Sequence, residues 1–201
     1  LTAINTELAG LFAEFGSKLL ADEQTYTVVT NEAELAGLEP AFKASLAEAA
    51  AATGHPGAWA IKNTRSSAQP VMQYASNRAL RERVWRAFTS RGDNGNANDT
   101  KGTIARILRL RQDRAVLLGF RTHANYRMAD TMAQTPEHAM DLMMRVWRPA
   151  VARVREEVAD MQAIANREST ANRTARITIE PWDYRYYAEK VRKDRYDLSE
   201  E

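Results

Sequence analysis

Residues 99–119 read Asp99-Thr100-Lys101-Gly102-Thr103-Ile104-Ala105-Arg106-Ile107-Leu108-Arg109-Leu110-Arg111-Gln112-Asp113-Arg114-Ala115-Val116-Leu117-Leu118-Gly119. The stretch carries its own start and stop. Asp99 or Thr100 can cap free N–H groups, and Gly119 suits the left-handed position just past a helix end. No proline interrupts it, and the spacing predicts a helix reaching Leu118.

The same reading extends to both sides. Upstream, Ile4, Leu8, Leu11, Phe12, Phe15 and Leu19 fall three or four apart, one apolar stripe on a helix over 1–22. Asn31 followed by Glu34 predicts a capping box for a helix over 32–38, and Pro40 suits the start of another over 41–52. Two short β-branched or aromatic runs, 26–30 and 58–62, flank these helices and predict an antiparallel ribbon. Residues 65–69 read as a loop and Pro70 as the opening of a helix to about Ser90, with Val71, Met72, Ala75, Leu80, Val84, Trp85 and Phe88 on its apolar face. Residues 91–99 are the most loop-like in the chain and mark a sub-boundary within an otherwise single helical lobe spanning 1–201.

Downstream, a short helix is expected over 122–132. Thr135 and Pro136 then open a long one to about Asn166, which Pro149 should kink or end. Residues 167–176 read as a surface loop and 177–179 as a few extended residues. Pro181 starts a last helix to about Lys193, and residues 197–201 look like the beginning of one more. The fold class is therefore mainly α, a multi-helix lobe with one short two-stranded antiparallel ribbon. Both ends read as the interior of a longer pattern, so a piece of a larger protein is expected.

Composition removes several classes. The 201 residues contain no Cys, so disulfides, cysteine nucleophiles and thiolate metal sites all fall away. With 9 Gly and 6 Pro, neither a collagen-like nor a low-complexity chain fits. No apolar run approaches the roughly 18–20 residues of a membrane span, and no membrane partner is expected. Formal net charge is only +2, but seven basic residues and the single acid Asp113 lie between Lys101 and Arg127.

The search for chemistry is mostly negative. His55, His123 and His138 are scattered; only His138 has a carboxylate, Asp141, at helical spacing, and no third ligand stands near it. Ser66 and Ser67 lack a His or Asp partner, and no phosphate-cradling glycine motif occurs. Glu156 and Glu157 read as solvated charge. Catalytic and metal-binding residues are accordingly expected to be absent from this chain. Two helices are rich in arginine, Arg78 to Arg91 and Lys101 to Arg114. A nucleic-acid binder would need one coherent basic face, whereas Arg106, Arg109 and Arg114 scatter around the wheel and Glu82 and Asp113 interrupt. Salt-bridged helices are the better reading; a basic nucleic-acid-binding or interaction module is kept as the alternative.

The compact element Trp182-Asp183-x-x-Tyr186-Tyr187 places Trp182 and Tyr186, and Asp183 and Tyr187, four apart on a helix. Its bland reading is a capped helix with an aromatic core stripe; its functional reading is a surface that meets a ligand.

Three runs together resemble one family. These are Ile107-Leu108-Arg109-Leu110-Arg111, Leu117-Leu118-Gly119-Phe120 with His123-Ala124-Asn125-Tyr126, and the Trp182 element with Tyr196 nine residues after Tyr187. They are similar to the thimet oligopeptidase and peptidyl-dipeptidase family of zinc metallopeptidases. Met132-Ala133-x-Thr135-Pro136, Asn77-Arg78-x-Leu80-Arg81 and Ser90-Arg91-Gly92 also resemble family positions, and Asn98-Asp99-Thr100 leans towards the bacterial peptidyl-dipeptidase branch. Residues 167–176 depart from its pattern.

The resemblance implies a two-lobed helical peptidase with a deep channel, acting on short peptides and releasing dipeptides from their carboxyl ends. It implies zinc in the parent enzyme, held by an H-E-x-x-H helix that this sequence lacks. This chain would then be an amino-terminal-half piece, inactive alone, with the catalytic half as its missing partner and no zinc of its own. Asp183, Tyr186 and Tyr187 become candidates for a channel wall. The cytoplasm is the expected compartment, with the periplasm left open.

Overall fold

The computed structural model describes residues 1–196; the helix start expected at 197–201 lies outside the described residues. The class is mainly α: α1 (Thr2–Glu23), α2 (Pro40–Ala52), α3 (Arg65–Tyr74), α4 (Arg78–Thr89), α5 (Lys101–Leu117), α6 (His123–Met128), α7 (Pro136–Ala171) and α8 (Tyr184–Tyr196), with one 3-10 turn over Glu32–Leu35. Strands β1 (Tyr26–Val29) and β2 (Trp59–Lys62) pair antiparallel, Tyr26 opposite Lys62 and Val29 opposite Trp59. The chain forms two compact units, one of residues 1–22 and 92–153, the other of 23–91 and 154–201.

In the first unit α1 packs on α5 through Leu8, Ile107 and Leu110, with Ile4 and Leu11 alongside. The expected α1 stripe is thinner than its spacing suggests. Of its six residues only Leu8 is buried, and Phe12 lies exposed with Arg111 stacked 5.1 Å from its ring centroid. The 92–99 segment is held firmly. Asp22, buried at the end of α1, accepts hydrogen bonds from Gly92 N (2.7 Å), Asn94 Nδ2 (2.9 Å) and Asn98 Nδ2 (2.9 Å). Gly92 has φ of 72°, and a Cβ there would meet Leu19 and Thr100 at 2.9 Å, so only glycine fits. The N-cap of α5 is Thr100, which makes no side-chain cap bond: its hydroxyl donates back to Gly92 O, and Asp99 Oδ1, one residue earlier, accepts from Lys101 N. Gly119 takes the left-handed end with φ of 85°.

The second unit is built around the β1–β2 ribbon, α2, α3 and α4. Its core joins Val29, Leu35, Leu46, Ile61, Val71, Leu80 and Val84. Three expectations change here. The Asn31 side chain does accept from Ala33 N, but Glu34 pairs with Arg83 rather than closing a capping box, and a single 3-10 turn results. Residues 65–69 are helical, with Pro70 inside α3 rather than at its start. The helix then breaks at Ala75 to Asn77. Ser76 N donates to Ala36 O, and Asn77 Oδ1 accepts from Leu80 N to start α4 afresh.

Helix α7 also outruns its expected length. It passes through Pro149, and Arg145, the residue whose carbonyl loses its helical partner there, is exposed. It continues through 167–171 because Ser169 is buried and Glu168 and Arg167 pair with Lys190 and Asp194 of α8. Arg173, at φ of 54°, closes it. Residues 177–179 form no strand among the described residues. Gln162 of α7 clamps them instead, giving its Nε2 to Ile177 O (2.7 Å) and receiving Ile179 N (3.0 Å).

Candidate functional site

The densest polar arrangement lies in the second unit, where the 180–183 turn enters α8 beside α4. Asp183 is fully buried. Arg81 Nη2 donates to its Oδ1 at 2.8 Å, Arg78 Nη2 to its Oδ2 at 2.7 Å, and Arg78 Nε lies 3.1 and 3.0 Å from the two oxygens. Glu180 N adds a fifth bond to Oδ2 at 3.2 Å. The carboxylate holds the Arg78 guanidinium above its already high ordinary value.

Two cations around one anion leave an excess positive charge, and a buried guanidinium is costly without partners. Those partners are present. Arg81, 1% exposed, gives Nη1 to Ala75 O (2.8 Å) and Ser76 O (3.2 Å) and Nε to Trp182 O (3.3 Å). It thereby satisfies the carbonyls that the α3–α4 break leaves open. Its guanidinium carbon sits 4.0 Å from the Tyr186 ring centroid, and Arg78 and Arg86 lie over Trp182 at 5.5 and 5.2 Å. Trp182 packs edge-on against Trp85.

Of the candidate wall residues, Asp183 and Tyr187 are buried and Tyr186 is half-buried. The i, i+4 spacing brought them to one helix start, but no spacing announced Arg78 and Arg81, more than a hundred residues earlier. The two arginines sit three apart with Leu80 between them, so a helical face shared by two cations was visible; its anion was not. Burial raises the phenols of Tyr187 and Tyr184, the latter helped by its hydrogen bond to Glu157 Oε2 at 3.2 Å. Glu157 is thus a half-buried acceptor rather than the solvated charge expected. Lys190 is pulled down by burial, yet its bonds to Glu168 and Tyr186 leave it raised.

The histidines stay apart. His55 meets Tyr26 edge-on, His123 lies beside Tyr126, and His138 Nδ1 is 2.9 Å from Ala133 O. Among the described residues no three of His, Cys, Asp or Glu come together as a metal site, so the donor set here does not fit a zinc ion. Ser66 Oγ lies 3.3 Å from Thr64 Oγ1. The basic helices carry ion pairs: Arg83 with Glu34, Arg86 with Glu82, Arg91 with Glu23, Lys101 with Asp93 and Asp99, and Arg106 with Glu7. Arg81 departs from the solvated reading, being wholly interior. No helix among the described residues is long and apolar enough to cross a membrane.

The helices that carry this cluster fall within a known family pattern. The model of Peptidase family M3 matches residues 71–201, more than half of the chain, and the chain belongs to that family. It is similar to dipeptidyl carboxypeptidase of Escherichia coli, at 35% identity over 201 residues covering all of this chain and 29% of the relative. It is similar to a probable cytosolic oligopeptidase A of Arabidopsis thaliana, at 35% identity over 209 residues covering 98% of this chain and 28% of the relative. Oligopeptidase A of Escherichia coli matches at 32% over 203 residues, covering 98% and 29%. The chain therefore spans less than a third of the length of these curated relatives.

Proposed function

We propose that this chain is part of the non-catalytic wall of a zinc-dependent peptidase that cleaves short peptides and removes dipeptides from their carboxyl ends. The observation that carries the reading is the 35% identity to dipeptidyl carboxypeptidase across every residue of the chain. The zinc and the residue that activates water belong, in this reading, to an H-E-x-x-H helix outside these 201 residues, in a catalytic half that is this chain's partner. The name of the Arabidopsis relative supports a cytoplasmic setting.

In this reading residues 1–201 act as one helical lobe. Asp183 and Tyr187 shape the wall from beneath, through Arg78 and Arg81, and Tyr186 lies closer to its surface. The test has two arms. The purified 201-residue chain is expected to hydrolyse no short peptide, with or without added zinc, and to retain far less than one zinc per chain after dialysis. The coding frame that contains this chain is expected to continue into an H-E-x-x-H helix, and the protein it specifies to release dipeptides until a chelator is added. Hydrolysis by the isolated chain, surviving controls for contaminating protease, overturns the proposal.

A further inference from the structure

The first half of α7 leaves its apolar residues in water. Every residue from Met140 to Ala150 is exposed. Among them Met140, Leu142, Met143, Met144, Val146 and Trp147 are 37–62% exposed, and none joins a core cluster of the described residues. At about 100° of helix per residue, these six side chains spread over an arc of roughly 200°. Glu137, His138, Asp141, Arg145 and Arg148 all fall in the remaining sector.

A helix that packs on one core needs an apolar stripe of about 100°. An arc twice as wide needs cover from two sides, and a contiguous exposed apolar surface of this kind marks an interaction site. A second copy laid along α7 would cover only a seam of it. A lipid surface selects helices with a Lys- and Arg-rich polar face, whereas Glu137 and Asp141 balance Arg145 and Arg148 here. The arc therefore fits a protein partner that offers an apolar groove. The relatives point to its source: this chain aligns over all of its own residues with only 29% of dipeptidyl carboxypeptidase, so more than two-thirds of that relative's length has no counterpart in it.

We propose that residues 137–148 of α7 insert into an apolar groove of the polypeptide outside these 201 residues, the arc from Leu142 to Met144 gripped from both sides and Asp141, Arg145 and Arg148 left in water. The inference rests on the reading of this chain as part of a larger peptidase, and it deepens that reading by naming the surface on which the missing part docks.

The test compares the 201-residue chain with the protein specified by the whole coding frame that contains it. Both are treated with dilute hydrogen peroxide, and sulfoxide at each methionine is followed by mass spectrometry. In the isolated chain Met140, Met143 and Met144 should oxidise at close to the rate of free methionine, with the buried Met161 as the slow reference. In the complete protein all three should slow by about tenfold or more. Leu142→Glu and Met144→Glu, at the two edges of the arc, should each lower the melting temperature of the complete protein and leave that of the isolated chain unchanged. Arg145→Glu should be tolerated in both. Equal oxidation rates in the two proteins, or tolerance of either edge glutamate in the complete protein, would overturn the proposal. So would protection in the isolated chain that grows with its own concentration, which assigns the arc to a second copy, or with added anionic vesicles, which assigns it to lipid. Chelator-sensitive dipeptide release by a protein whose three methionines stay unprotected sinks this inference alone. Protection in a protein without that activity sinks the peptidase reading alone.

Discussion

Arg81 and Asp183, 102 positions apart in sequence and both shielded from solvent, meet at 2.8 Å and join the start of α8 to the break between α3 and α4. Trimming either partner leaves the other as a buried charge with reduced compensation. Asp183→Asn is expected to destabilise the chain by about 3–5 kcal/mol, read by urea unfolding. Arg81→Met with Asp183→Leu should cost clearly less than the two single changes added together, because the double change strands no charge at that contact. Additive losses would refute the coupling.

Tyr187→Phe separates the structural from the functional account of the aromatic cluster. The Tyr187 ring is packed against Met161, Ile164 and Ala165, and loss of the hydroxyl keeps that packing. In a peptidase containing this chain, a supporting role predicts a stability change of at most about 1 kcal/mol with kcat and KM unaltered. A fall in activity at unchanged melting temperature would instead assign the hydroxyl to substrate.

Asp22→Ala removes the acceptor for three donors of the 92–98 segment. Hydrogen bonds to a charged group contribute about 1.5–3 kcal/mol each at most, and water will recover part of the loss, so a net destabilisation of about 2–3 kcal/mol is expected. Hydrogen exchange of the Gly92 amide should accelerate before that of the α5 core. An unchanged Gly92 exchange rate would show that the segment is held by other contacts.

Acid should weaken the first unit through His123. Burial, then the charges of Arg111, Arg114 and Arg127, hold its folded pKa below the ordinary value of 6.5. Below pH 6.5 the unfolded chain therefore binds more protons than the fold, and stability declines as pH falls from there through the folded pKa. His123→Gln should flatten that part of the pH–stability curve. A curve of the same slope in the variant would place the sensitivity elsewhere.

A mixed-sequence DNA duplex should bind no tighter than the micromolar range at physiological salt, the level of non-specific attraction. The reason is the pairing of Arg83, Arg86, Arg91, Lys101 and Arg106 with nearby carboxylates, which removes the uniform field a phosphate backbone needs. Sub-micromolar binding with a steep salt slope would restore the nucleic-acid alternative.

What the sequence determined by itself was local. Helix periodicity, the left-handed Gly119, the β-branched runs of the ribbon and the Trp182-Asp183 helix start all depend on residues within a few positions of one another, where spacing maps directly onto geometry. The family resemblance rested on the same short-range patterns. The failures were of the opposite kind. Residues 167–171 lacked periodicity yet are helical, since Glu168 and Arg167 find their partners on α8. Pro70 reads as a helix start in the sequence but lies inside α3, and the break follows at Ala75 to Asn77. Only tertiary structure could turn Arg81 from a surface cation into an interior one, because burial of a charge depends on an anion and carbonyls supplied by other segments. The same holds for Glu189. An acid in a polar helix reads as solvated until Gln73 of α3, more than a hundred positions away, donates to one of its oxygens.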